Sequence, residues 1–174
     1  MKTQKQRMLS GELYQAMDAE LAADRARCEA LLLRYNGGEH AALRELLGGI
    51  GERSEVRAPF FCDYGKNITL GSGVFLNFNC ILLDVMPIVI GDGTQIGPGV
   101  QIYAADHPRE ADVRREGWEL GRAVTIGRNA WIGGGALILP GVVVGDDAII
   151  GAGSVVTRDV PAGATVMGNP ARIK

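Results

Sequence analysis

The chain has 174 residues, of which 25 are glycine, about twice the average glycine usage of roughly 7%. Apolar residues make up 47% and charged residues 22%, which excludes a disordered chain, and glycine does not recur at every third position, which excludes collagen. The formal net charge of −2 supplies no basic excess for sequence-independent nucleic-acid binding, and no apolar run approaches the roughly 18–20 residues of a membrane span.

The first residues, Met1 to Arg7, are basic, but no long apolar stretch follows them, so they do not read as a secretory signal. Cys28, Cys62 and Cys80 are odd in number and far apart. They show neither metal-ligand spacing nor a disulfide framework, which predicts reduced, partly buried thiols and a cytoplasmic protein.

Charged and helix-forming residues dominate up to about residue 55. Leu9, Leu13, Met17 and Leu21 recur every four residues and predict one apolar helix face, although Ser10 and Asp18 could each cap a helix start. A second helix is expected from about Asp18 to Tyr35, stopped by Asn36-Gly37-Gly38, and a third from about His40 to Leu47, ending at Gly48-Gly49.

Beyond residue 55 a six-residue period replaces the helical one. Ile126, Ile132, Ile138, Val144, Ile150 and Val156 follow one another at six-residue steps, four of them preceding a glycine. Ile90, Ile96 and Ile102 form the same series upstream, and Leu70 and Leu76 begin an earlier one. Such a repeat predicts a mainly β solenoid, with one short strand and one tight turn per hexapeptide and the aliphatic residue pointing inward. Turns such as Asp92-Gly93 and Gly145-Asp146-Asp147 suit the left-handed backbone region.

The period fails once, between Ile102 and Ile126. From Asp106 to Arg122, nine of seventeen residues are charged, so this segment is expected to loop out of the wall, as functional insertions do. His107 stands at its root between Asp106 and Pro108, where an imidazole can serve as a general base near neutral pH. The other histidine, His40, reads as an exposed helix residue. Asn77-Phe78-Asn79 is expected to place two amides on one side of an extended strand, with Asp84 close behind, suited to binding hydroxyls. Asparagines that only stabilise solenoid turns are the alternative.

These residues resemble a known family. Gly11-Glu12-Leu13-Tyr14, Cys62-Asp63-Tyr64-Gly65-Lys66-Asn67-Ile68, Asn77-Phe78-Asn79-Cys80, Asp106-His107-Pro108, Ala130-Trp131-Ile132-Gly133-Gly134-Gly135, Ile150-Gly151-Ala152-Gly153-Ser154-Val155-Val156-Thr157 and Gly168-Asn169-Pro170-Ala171-Arg172 together are similar to the maltose O-acetyltransferase branch of the hexapeptide-repeat acyltransferases. The likeness covers almost the whole chain. It implies an N-terminal helical segment at 1–54, a left-handed parallel β-helix at 55–168 with an extended loop at about 104–123, and a C-terminal tail at 169–174. It also implies a homotrimer with active sites at subunit boundaries, with no nucleic-acid or membrane partner.

The activity implied is transfer of acetyl from acetyl-CoA to a hydroxyl of a sugar such as maltose or glucose. His107 would be the base, with direct transfer through a tetrahedral intermediate. Asn77 and Asp84 match acceptor-binding positions. Trp131, Gly134 and Ala152 match positions along the pantetheine arm, and Thr157, Arg158 and Arg172 match the region near the nucleotide and its phosphates. Glu119 is a possible orienting partner for His107, and Cys80 is not expected to be a nucleophile.

No metal is implied: a carbonic anhydrase on this scaffold needs three zinc-binding histidines, and the chain has two. Val85 stands where the galactoside branch carries a second acid, and near Ala16, where that branch carries another, the nearest carboxylate here is Asp18, which favours a maltose- or glucose-like acceptor. The rivals are the same chemistry on another acceptor (antibiotic, amino sugar or lipo-oligosaccharide) and a non-catalytic assembly solenoid.

Overall fold

The computed structural model describes residues 1–174. Three parallel sheets wrap one apolar core, and each is a stack of single strands taken from successive coils. Ile50, Leu70, Ile90, Ile126 and Val144 stand in direct register on one wall. Val56, Leu76, Ile96, Ile132, Ile150 and Val166 form the second, and Cys62, Leu82, Ile102, Ile138 and Val156 the third. The six-residue series is therefore the core itself. Each fully buried aliphatic contributes about 1.5–3 kcal/mol relative to exposure.

The corners are tight. A Cβ on Gly97 would lie 2.5 Å from the backbone nitrogen of Gly134 in the next coil, so only glycine lets the coils stack there. Asn79, Asn129 and Asp147 hold φ of 62°, 53° and 58°, the left-handed region that Asn and Asp tolerate best among residues with a Cβ. Asn77-Phe78-Asn79 is accordingly a turn after the strand Phe75–Leu76, not an extended strand with both amides on one side.

The N-terminal leucine stripe does not form one helix. Helix α1 spans Gln4–Leu9, Gly11 turns the chain at φ 72°, and Tyr14–Gln15 is a short strand. Asp18 then caps helix α2, Ala19–Asn36, by accepting the N–H groups of Glu20 and Leu21, a cap worth about 1 kcal/mol. Leu9, Leu13 and Met17 are left exposed and only Leu21 of the stripe is buried. Helix α3 covers Ala42–Leu46.

The C-terminal end of α2 closes the first coil. The Tyr35 hydroxyl donates to the Val56 carbonyl, while the Asn36 amide donates to Phe60 O and accepts Phe60 N–H, both at 3.0 Å. At the other end Ala171–Ile173 folds back antiparallel on Thr165–Gly168, so the expected tail is a strand.

The charged insertion leaves the wall after Ile102 and returns so that Ile126 stacks directly on Ile90. It is not an irregular loop. Ala105–Asp106 pairs antiparallel with Trp118–Gly121, which pairs in turn with Tyr14–Gln15, and helix α4, Ala111–Arg115, sits at the tip. No helix is long and apolar enough to cross a membrane.

Candidate active site

A groove of about 720 Å³ runs along the second wall, lined among others by Asn77, Gln95, Pro98, Trp131, Ala152 and Met167. Its floor follows from strand register: Phe75, Gln95, Trp131, Ile149 and Thr165 lie in one outward-facing ladder. Trp131 is 58% exposed on it, a large apolar surface held open to solvent.

The corner beside this ladder carries two unused donors. Gly133, Gly135, Gly151 and Gly153 each give their N–H to a carbonyl of a neighbouring coil. The N–H groups of Gly134 and Ala152, midway between them, have no acceptor in the chain, and both residues line the groove. Pro98, at the equivalent corner one coil earlier, has no N–H to offer. Two free amides at the spacing of one coil, beside an exposed indole, suit an extended ligand with amide carbonyls and apolar stretches. The pantetheine arm of coenzyme A has this chemistry, so the residues present fit that group.

The sequence-based candidates separate into three places. Asn77, Trp131, Gly134 and Ala152 share the groove. Arg158 and Arg172 line a separate depression beside Val160 and Ile173 at the C-terminal end of the solenoid, and exposed Thr157 lines neither. His107 lines a third cavity, of about 630 Å³, with Leu13, Val113 and Leu120. Within one chain the exposed imidazole and the groove share no lining residue.

At the loop root the Asp106 carboxylate accepts the His107 N–H at 2.8 Å and ion-pairs with Arg109 and Arg122 at 2.8 and 2.9 Å. Burial raises the Asp106 carboxyl, but the Arg109, His107 N–H and Arg122 bonds outweigh it and hold the group below its ordinary range. Glu119 does not bond the imidazole. Its Oε2 accepts the Tyr14 hydroxyl at 2.8 Å, on the strand between the loop and the N-terminal segment. Burial, then the Glu119 charge, push the nearby Asp63 carboxyl up, against the pull of Arg25.

Asp84 requires a correction. Its side chain is fully buried, and its oxygens accept the N–H groups of Asp63 (3.0 Å), Tyr64 (2.9 Å) and Asn67 (3.2 Å). Burial pushes the carboxyl up to about 7 even though the backbone donors draw it down. The carboxylate ties one corner of the solenoid together and is not open to an acceptor.

Cys80 is buried, its Sγ donating to Asn77 O at 3.2 Å, and burial lifts its thiol to about 11, which suits packing and not nucleophilic attack. No group of three or more His, Cys, Asp or Glu side chains is placed to hold a metal ion.

Sequence reasoning missed Phe75, Gln95, Pro98, Thr165 and Met167 of the groove. The outward positions flanking the aliphatic series could have found the first two, since each precedes an inward residue, Leu76 or Ile96, by one.

The family description "Maltose acetyltransferase hexapeptide capping motif" matches residues 7–51, and "Bacterial transferase hexapeptide (six repeats)" matches residues 123–158. Nodulation protein L of Rhizobium meliloti (strain 1021) is 56% identical over 180 residues, covering 99% of this chain and 98% of that protein. The chain belongs to the hexapeptide-repeat acetyltransferases. Among solved members, a maltose O-acetyltransferase from Clostridium difficile 630 superposes with a TM-score of 0.98 at 44% identity, covering 99% of this chain and 96% of that one. A hexapeptide-repeat acetyltransferase of Vibrio cholerae O1 biovar eltor, solved with acetyl coenzyme A, reaches 0.92 at 37% identity over 99% and 97% of the two chains. For this hexapeptide-repeat acetyltransferase, the capping match coincides with α1 to α3 and the repeat match with the coils that carry Trp131, Gly134 and Ala152.

Proposed function

We propose that the protein transfers acetyl from acetyl-CoA to a hydroxyl of a sugar, with a maltose- or glucose-like acceptor. The observation that carries this reading is the pair of unpaired amides, Gly134 and Ala152, beside exposed Trp131 in a groove that leads to Asn77. Trp131 would pack on the pantetheine arm, and the two amides would bind its carbonyls. Arg158 and Arg172 offer fixed charge for phosphates in the separate depression at the C-terminal end of the solenoid.

His107 would take the proton of the acceptor hydroxyl as that oxygen attacks the thioester carbonyl. Acetyl would pass directly through a tetrahedral intermediate, whose oxyanion needs donated hydrogen bonds. Asn77 supports the acceptor end: its Oδ1 is held by the Phe78 N–H at 2.8 Å, which leaves the amide NH2 free to donate. The groove and the His107 cavity have no residue in common within one chain, which supports a homotrimer in which the loop of one subunit would complete the groove of the next.

The test is thiol release from acetyl-CoA with a panel of sugars, including maltose, glucose, amino sugars and galactosides, alongside calorimetry with CoA. Acceptor-dependent release and saturable CoA binding are expected. CoA binding without release on any sugar would transfer the chemistry to another acceptor, and absence of both would remove the enzyme reading.

A further inference from the structure

We propose that Asp106 is a positioning residue for the histidine that follows it, acting with Arg109 and Arg122 as a clamp on the His107 peptide. The inference rests on the reading of His107 as the base.

Five contacts define the clamp. Asp106 Oδ1 accepts the His107 N–H and Arg109 Nη1, each at 2.8 Å, and Oδ2 accepts Arg109 Nη2 at 3.2 Å and Arg122 Nη2 at 2.9 Å. Arg109 Nη1 also donates to the His107 carbonyl at 2.7 Å. Both polar groups of the His107 backbone are thus bound by one network, and Arg114 Nη1 fixes the next carbonyl, that of Pro108, at 2.7 Å. Arg122 belongs to the far end of the insertion, and its own N–H donates to Ala104 O at 2.8 Å. The Asp106–Arg122 pair therefore closes the neck of the loop across sixteen residues of sequence.

A decorative surface ion pair is the competing account, and magnitudes decide between them. The Asp106 side chain is 14% exposed, but those of Arg109 and Arg122 are 76% and 58% exposed, and exposed pairs contribute little to stability. Placement follows a different scale, since an error of about 1 Å at a reacting group costs on the order of a hundredfold in rate. A network that binds both polar backbone groups of one residue, where the insertion leaves the wall, is suited to fixing an orientation while adding little to the melting point.

The test uses the full-length protein and compares Asp106→Asn, Arg122→Met, Arg122→Lys and the double variant Asp106→Asn/Arg122→Met, with His107→Ala in parallel. Asp106→Asn and Arg122→Met are expected to lower kcat about 10- to 100-fold. KM for acetyl-CoA, CoA Kd and the thermal midpoint should stay close to those of the parent, since the groove is built elsewhere. Arg122→Lys should recover most of the loss. The double variant should be no worse than the weaker single variant, because the two residues share one network.

Three results overturn the proposal: Asp106→Asn turning over within twofold of the parent while His107→Ala is inactive; a fall in CoA affinity and thermal midpoint that parallels the fall in kcat; or strictly additive losses. Near-normal turnover by His107→Ala overturns the base reading and the clamp with it, so the two failures are told apart.

Discussion

The Tyr14 hydroxyl donates a 2.8 Å hydrogen bond to Glu119 Oε2, joining two residues 105 positions apart and fastening the His107 loop to the N-terminal segment. Tyr14 is fully buried, and burial together with the Glu119 charge keeps its phenol protonated as the donor. Tyr14→Phe removes the donor and leaves a carboxylate oxygen short of a partner in a half-buried site, which costs about 1–3 kcal/mol. Chemical denaturation should show a lower midpoint with an unchanged m-value; an unaltered midpoint would mean that the bond contributes nothing to folding.

Loss of the proposed base should fall on chemistry alone. His107→Ala is expected to lower kcat by about two to four orders of magnitude, while calorimetry returns a CoA Kd near that of the parent, since the groove surface offered to the pantetheine arm comes from Trp131, Gly134 and Ala152. Turnover near the parent value would remove the histidine from its role.

Trp131 should behave in the opposite way. Its exposed indole forms part of the groove floor between Gln95 and Ile149. Trp131→Ala withdraws that apolar surface and should weaken CoA binding about ten- to a hundredfold, by analogy with truncation of a binding hot spot, with little change in thermal midpoint. An unchanged Kd in calorimetry would discard the assignment.

Asp84 predicts a stability effect without an acceptor effect. Asp84→Ala strips the acceptor from the N–H groups of Asp63, Tyr64 and Asn67 in a buried corner. Each unpaired group costs about 1–3 kcal/mol, so the denaturation midpoint should drop steeply. The fraction that remains folded at low temperature should keep its acceptor KM. A raised KM with an intact midpoint would restore Asp84 as an acceptor-binding residue.

The clamp carboxylate has a pH signature. The folded-state pKa of Asp106 is depressed, so its ionised form is favoured in the native protein. The folded state therefore binds fewer protons than the unfolded one near the ordinary Asp value of about 3.9. The stability it adds is present above that pH and is lost as the pH falls through the lower folded value. The difference in unfolding free energy between the parent and Asp106→Asn should be flat from pH 5 to 8 and shrink below about pH 4. A difference that shrinks between pH 5 and 7 would contradict the assignment.

Much of this was legible in the sequence because the solenoid buries one side chain at a fixed step. Ile126 to Val156 reads as a straight column because each residue occupies the same wall position in its own coil, so local periodicity and tertiary packing coincide. Where they part, the reading failed. Leu9, Leu13 and Met17 had helical spacing, but Gly11 and the Asp18 cap broke the helix and left them exposed. Asp84 looked available because its three donors lie 17 to 21 residues away in the neighbouring coil. The loop was visible as charge, yet its strand pairing with Tyr14–Gln15 joins segments that no sequence period relates.

A column of identical coils has no internal reason to stop. Its first and last turns would present rows of free N–H and C=O groups, ready to template the edge of another copy. Tyr35 and Asn36 bond groups of Val56 and Phe60 in the first row with their side chains, and the fold-back of Ala171–Ile173 covers the last strand of one wall in the other. The two ends thus cap part of an otherwise open-ended lattice, leaving fewer backbone groups on which another copy could template.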